Sequence, residues 1–272
     1  MENITIHVLH TGIVEVDQAL LYNNESINPL AYTGILRTQK NKILIPISSY
    51  LIEHPKGLIL IDTGWDTEVR ENPKRYLGFR YSASKPYLPD GWAINERLKK
   101  LGYHDTDIDY VVLSHLDADH ASGINLVGKA KKFLTSEKEW AAANKNKIRY
   151  LKKMWKAVKM DTFKPLPNDK VLSRPFYDLF GDETILLVET PGHSKGLTST
   201  VVKNTSGDFV LLGADVGYAG DSASQLRIPS ILSSKQHAVE SLAWAKEMSN
   251  TPECKGLLFN HDSQIKQQKI IL

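Results

Sequence analysis

The sequence predicts an α/β chain in which two β-sheets pack together with helices outside. Two observations carry that expectation. Apolar strand-like runs cluster in each half of the chain, and each cluster is followed by helical periodicity, the order expected of layered sheets and helices. A chain of 272 residues with 42% hydrophobic content also has enough apolar material for one large core, so a single domain over 1–272 is expected.

The elements follow in order. Residues 42–64 read as two Ile/Leu-rich strands joined by a His54-Pro55-Lys56-Gly57 turn, the second strand ending at Asp62-Thr63-Gly64. Residues 65–91 carry Pro, Gly, Tyr and Trp without steady periodicity and read as a long, ordered loop. A helix over Trp92 to Leu101 places Ile94, Leu98 and Leu101 on one face and stops at Gly102. Ile108 to Leu113 is a strand, and the polar run Ser114 to His120 sits at its carboxyl end, where ligand sites gather in α/β sheets. Ser136 and Glu139 have capping-box spacing and open a helix through Ala143. Residues 145–160 read as a basic helix with Ile148, Leu151, Trp155 and Val158 on its docked side and a solvated Lys face, or as a cover over an anionic substrate or surface. Strands at Thr184–Val188, Thr198–Val202 and Phe209–Gly213, a helix near His237–Met248 and a last strand at Gly256–Phe259 complete the chain.

Composition removes several classes. The 34 basic and 31 acidic residues nearly balance, which argues against a nucleic-acid-binding protein. The first residues lack the basic-then-apolar order of a signal peptide, and no run approaches the roughly 20 apolar residues of a membrane span. Cys254 is the single cysteine, so neither an internal disulfide nor a thiolate cluster can form, and a reducing cytoplasm is the expected setting.

Chemistry concentrates in His115-Leu116-Asp117-Ala118-Asp119-His120, four donor side chains within six residues. Crowded carboxylates in a partly buried loop repel one another unless a cation compensates. Three further donors follow strand ends: His193, Asp215 and His261. Imidazole and carboxylate suit zinc, iron or manganese, and donors on separate strand ends can converge. His7, His10, His54, His104 and His237 have no such partners and read as structural or solvated.

These residues resemble the metallo-β-lactamase superfamily, whose pattern is a strand ending in Asp-Thr-Gly, an HxHxDH loop, then single His, Asp and His ligands. Within it, the run NERLKKLGYHDTDIDYVVLSHLDADHASG, with Tyr218 placed after Asp215, is similar to the N-acyl homoserine lactonases. The resemblance implies an αββα four-layer sandwich and a dinuclear site whose bridging hydroxide opens a lactone or related ester of a small acyl substrate. It places His115, Asp117 and His193 on one metal, Asp119, His120 and His261 on the other, and Asp215 between them. Asp62 braces the loop without ligating, Tyr218 polarises the carbonyl, Asp119 passes a proton to the leaving alkoxide, and a homodimer is an option.

Asp117 departs from the pattern, which has histidine there. A third carboxylate brings two divalent ions with a bridging hydroxide to zero net charge, which should weaken the acidification of bound water and favour harder ions, so zinc is the expected metal with manganese or iron made possible by Asp117. Flavodiiron proteins, similar in fold, carry an acidic residue at this place, so a diiron redox enzyme is an alternative, though the flavin-binding domain usual there does not follow. A thioester hydrolase like the hydroxyacylglutathione hydrolases is another. The acyl wall is expected from the 65–91 segment, including Tyr76, Phe79, Tyr81 and Tyr87.

Overall fold

The computed structural model describes residues 3–23, 28, 30–34, 36–167 and 172–272. Met1 and Glu2, on which the reading of the amino terminus partly rests, lie outside them. The strands are β1 (Thr5–Asp17), β2 (Lys42–His54), β3 (Gly57–Ile61), β4 (Lys85–Tyr87), β5 (Tyr110–Val112), β6 (Lys132–Ser136) and β7 (Met160–Phe163), then β8 (Phe176–Asp178), β9 (Ile185–Glu189), β10 (Thr198–Lys203), β11 (Phe209–Ala214), β12 (Cys254–Phe259) and β13 (Gln268–Ile271). One sheet runs β13-β1-β2-β3-β5-β6-β7 with β4 added on β1; the other runs β12-β11-β10-β9-β8.

Side-chain alternation along the strands builds the layers. Ile59 and Ile61 of β3 meet Ile185 and Leu187 of β9 in a cluster between the two sheets. Their neighbours Leu58 and Leu60 face the opposite way, onto Ile94 and Leu98 of α3 (Ile94–Lys100), while Leu186 and Val188 face Ala238, Leu242 and Ala245 of the helix Lys235–Ser249. Helix, sheet, sheet and helix therefore stack as four layers, as expected.

Three expectations need correction. The segment 65–91 is more regular than a loop: it holds α1 (Glu68–Glu71), α2 (Pro73–Leu77), a 3-10 turn over Gly78–Ser82 and β4. Pro73 occupies the first turn of α2, and the Asn72 side chain accepts the Arg75 N–H, so the start signals are local and short-range. Residues 145–160 are not a helix. The preceding helix, α5 (Glu137–Lys145), ends there, a 3-10 turn follows at Lys152–Met154, and β7 begins at Met160. Asn146 breaks the run, its Oδ1 accepting the N–H groups of Ile148 and Arg149 at 3.1 and 3.0 Å, a local bond that competes with helix. Trp155 is buried as expected, but Ile148 is 75% exposed. Finally, Gly256–Phe259 is not the last strand; β13 follows and pairs with β1 antiparallel. Between α3 and α5 lies the short helix α4 (Ala118–Ala121); after β11 come α6 (Gly220–Gln225) and α7, the helix Lys235–Ser249 already described.

Candidate metal centre

All the donors singled out in the sequence stand on turns that leave the carboxyl ends of strands. Asp62 follows β3, the run from Ser114 to His120 follows β5, His193 follows β9, Asp215 follows β11 and His261 follows β12. Two of these exits carry positive φ on a side-chain-bearing residue, Asp62 at 59° and Ala214 at 46°, a strained geometry kept where it aims functional groups. Gly192 has φ of 144°, and a Cβ there would sit 2.4 Å from the Ala238 Cα. Only glycine lets the His193 turn lie against the start of α7.

The seven donors converge into two groups joined by one residue. In the first, Asp117 Oδ2 lies 3.0 Å from His193 Nε2 and 3.5 Å from His115 Nε2. In the second, His261 Nε2 is 3.4 Å and His120 Nε2 is 3.9 Å from Asp119 Oδ2. Asp215 serves both: its Oδ2 is 3.7 and 3.4 Å from His115 and His193, and its Oδ1 is 3.3 and 3.4 Å from His120 and His261. Three overlapping sets of metal-holding donors result, His115/His120/Asp215, His115/Asp117/His193 and Asp119/His120/His261.

The imidazoles are already oriented for a cation. Each Nδ1 has a protein partner: Ser114 Oγ for His115 at 3.0 Å, Asp62 Oδ2 for His120 at 2.8 Å, the Ile231 carbonyl for His193 at 2.9 Å and the Pro46 carbonyl for His261 at 2.9 Å. Such bonds fix the tautomer and leave every Nε2 facing the shared space. His115 Nε2, His120 Nε2 and Asp215 Oδ1 are buried without a hydrogen-bond partner. An orphaned buried polar atom costs about 1–3 kcal/mol, so three together fit a site made for divalent ions. Electrostatics agree. Burial would depress His120, yet Asp215, Asp62 and Asp119 raise it well above the ordinary histidine value; burial would raise Asp215, yet His120 and His261 hold it well below the carboxylate range. Charge of both signs is confined in a small buried volume that metal ions would order.

Asp62 braces this arrangement without facing either group. Its Oδ2 accepts from Ser114 Oγ, His120 Nδ1 and Asn260 Nδ2 at 2.8–3.0 Å, and its Oδ1 accepts the Ser114 N–H at 2.8 Å. One carboxylate thereby ties the turns after β3, β5 and β12.

Two residues escaped sequence reasoning. Glu139, fully buried in α5, does not close a capping box; Ser136 Oγ accepts the Glu139 N–H, but the Glu139 carboxylate turns inward. Its Oε1 accepts the Leu116 N–H at 3.0 Å, and its Oε2 accepts from Ser194 Oγ at 2.6 Å and the Gly196 N–H at 3.1 Å. It thus joins the His115 turn to the His193 turn. Arg149, read as part of a basic helix, is a half-buried cation bound to Asp117 by two hydrogen bonds, Nε to Oδ1 at 2.7 Å and Nη2 to Oδ2 at 2.6 Å. Asp117 occupies the N-cap position of α4 but makes no cap bond; its carboxylate is given to Arg149.

Five of the donors, Asp117, Asp119, His193, Asp215 and His261, line a cavity of about 730 Å³ whose walls are largely apolar, from Val14 and Val16 of β1, Ile45 of β2, Trp65, Leu77 and Phe79. Of the acyl wall expected from the 65–91 segment, Trp65, Leu77 and Phe79 line the cavity, whereas Tyr76 is buried outside its lining and Tyr81 and Tyr87 lie off it. Strand β1, which has a register shift between His10 and Gly12, adds Val14 and Val16 to that wall. Tyr218 does reach the site, its ring edge-on to His261 at 4.9 Å and to His193 at 6.0 Å. Burial, then Asp215, Asp119 and Asp117, raise its hydroxyl well above the usual tyrosine value.

Residues 44–243 match the Metallo-beta-lactamase superfamily. This chain belongs to the metallo-beta-lactamase superfamily. Among its relatives are the N-acyl homoserine lactonase AttM of Agrobacterium fabrum, 30% identical over 206 residues covering 73% of this chain and 75% of the relative, and an N-acyl homoserine lactonase of Bacillus cereus, 28% identical over 233 residues covering 85% and 86%. In fold, the chain is similar to a 1.4 Å structure of an N-acyl homoserine lactone hydrolase with the product N-hexanoyl-L-homoserine at its catalytic metal center, at a TM-score of 0.77 and 21% identity over 96% of this chain and 94% of that one. AidC, a dizinc quorum-quenching lactonase, superposes at a TM-score of 0.63 and 18% identity over 96% and 88%. Among the described residues, no helix is long and apolar enough to cross a membrane.

Proposed function

We infer that this superfamily member is a metal-dependent hydrolase that opens the ring of an N-acyl lactone, with N-acyl homoserine lactones the favoured class. The observation that carries the reading is the pair of three-residue donor groups with Asp215 between them, opening into an apolar cavity that Asp117, Asp119, His193, Asp215 and His261 line. His115, Asp117, His193 and Asp215 would hold one divalent ion, and Asp119, His120, His261 and Asp215 the other, zinc first and manganese or iron as the harder alternatives. When bound, such a pair supplies an acidified water as nucleophile and Lewis acidity at the carbonyl. The relatives' names point to the same substrate class.

The chain's own residues perform the rest. A cavity of about 730 Å³ is within the usual range for small-ligand sites, and its walls at Val14, Val16, Ile45 and Leu77 suit an acyl chain. Tyr218 stays protonated at neutral pH and donates its hydroxyl hydrogen to the developing oxyanion, the placement that stabilises charge formed only in the transition state. Asp119 lines the cavity beside His261, where its carboxylate takes the proton that the attacking water oxygen gives up and passes it to the ring oxygen as the C–O bond breaks. The product is an N-acyl hydroxy acid.

The test is a panel of acyl homoserine lactones, simple lactones and acyl thioesters, assayed with metal-loaded protein by acid release. The reading predicts fastest ring opening for N-acyl lactones. Protein that binds two metals yet hydrolyses thioesters and leaves every lactone intact would overturn it.

A further inference from the structure

Among the described residues, Arg149 is the one lysine or arginine that pairs with a carboxylate of the centre. The pairing is specific in form. Its Nε and Nη2 take the two oxygens of Asp117, while Nη1 donates to the backbone carbonyl of His193 at 2.7 Å. One planar cation thus fixes two of the three members of the first donor group, in the fork geometry that arginine provides and lysine does not. Its own place is set from behind. Asn146 Oδ1 accepts the Arg149 N–H at 3.0 Å, and Arg80 donates to the carbonyls of Arg149 and Lys147 at 3.3 and 2.7 Å.

The carboxylate so held still has one oxygen directed at the centre. Oδ2 lies between Arg149 Nη2, His193 Nε2 and His115 Nε2, whereas Oδ1 is given to Arg149 Nε. Asp117, Asp119 and Asp215 bring three negative charges to the two groups, and the guanidinium cancels one. We propose that Arg149 is a positioning residue for the first metal position, and that Asp117 and Arg149 act as one neutral unit presenting a single oxygen where a neutral imidazole would present a single nitrogen. The inference rests on the dinuclear reading given above. It explains how a third carboxylate is kept at the site without adding net charge.

The experiment compares the parent with Arg149→Met, Arg149→Lys, Asp117→His and the double variant Asp117→His/Arg149→Met. Binding of Zn(II) alone is titrated against a chromophoric chelator. If the two residues are one unit, Asp117→His leaves the guanidinium facing an imidazole and a cation, and the weaker of the two affinities falls at least about tenfold; the double variant recovers to within about threefold of the parent. Arg149→Lys keeps the charge without the fork, so its first-position affinity also falls. A merely structural ion pair would move none of these affinities. Equal affinities for Asp117→His and the double variant would overturn the proposal. Should Asp117→His fail to fold, Asp117→Asn, Arg149→Met and their combination are melted without metal: the unit predicts that the double variant loses clearly less than the two single losses together, and additive losses overturn it. A parent that binds fewer than two zinc ions overturns the dinuclear reading instead, and the parent titration alone detects that.

Discussion

Replacing Glu139 by Ala tests whether the first donor group is held by a single buried carboxylate in α5. The side chain is fully buried and accepts three hydrogen bonds, from the Leu116 N–H, the Ser194 hydroxyl and the Gly196 N–H. Alanine leaves three donors without an acceptor at about 1–3 kcal/mol each. Water entering the vacated space relieves part of this, so about 4 kcal/mol is the expected loss, a large share of the roughly 5–15 kcal/mol that holds a folded domain. For a chain of this size each kcal/mol lowers the melting temperature by roughly 2–4 °C, giving a fall of about 8–16 °C. Leu116 lies between His115 and Asp117, and Ser194 follows His193, so the same loss lets the two turns separate. The assay is thermal melting with and without Zn(II). The metal-induced rise in melting temperature should shrink along with the metal-free value. Glu139→Gln keeps one acceptor and the volume, and should lose about half as much. If Glu139→Ala melts within 2 °C of the parent and gains as much from zinc, the carboxylate does not hold the turns.

Tyr218→Phe should lower kcat by about 10²–10³, with metal content and melting temperature near the parent, because one oxyanion donor is removed and nothing else; an unchanged kcat removes the tyrosine from the reaction. Val16→Trp should fill the cavity wall and cut kcat/KM for long-chain N-acyl lactones by about tenfold or more while sparing short-chain ones, and equal losses for both would place the acyl chain elsewhere. Asp17 bears on acid stability. Burial would raise its pKa, but Arg37 at 3.0 Å, the Ala19 N–H and Lys42 hold it below the carboxylate value. A depressed folded value means that its contribution is present above pH about 4 and is lost as pH falls through the folded value. Urea midpoints of Asp17→Asn should therefore show a shallower acid-side decline than the parent's, and parallel curves would contradict the assignment.

The side chains that converge at the candidate centre could be picked out in the sequence because each stands just after a strand whose own residues announce it. Ile59 to Ile61 before Asp62, Val111 and Val112 before the His115 run, and Leu211 and Leu212 before Asp215 are apolar runs long enough to recognise, and the chemistry follows within a few residues. Glu139 and Arg149 carried no such local mark. Glu139 stands three residues after Ser136, a spacing that satisfies a helix-start pattern whichever way the carboxylate turns, and its true partners lie 23, 55 and 57 residues away. Arg149 sits among Lys147, Ile148 and Leu151 with helical spacing of apolar residues, which masked the Asn146 side-chain bonds that end the helix. The long first strand was also missed: Thr5 to Asp17 mixes His, Thr and Glu into its apolar residues, and its length comes from pairing with β2, β4 and β13 on both sides. Tertiary partners decided the role of Glu139 and the length of the first strand, and a single sequence holds no record of them, whereas the break before Arg149 is a local bond that the apolar spacing hid.

The central claim is that seven side chains hold two metal ions with Asp215 shared between them. Its most direct test is metal stoichiometry, measured by elemental analysis after equilibration with Zn(II) and gel filtration, on the parent and on Asp215→Ala. The account predicts about two ions per chain for the parent and at most one for the variant, which removes an oxygen from each group at once. A parent that saturates at one ion, or a folded Asp215→Ala variant that still retains two, would contradict it.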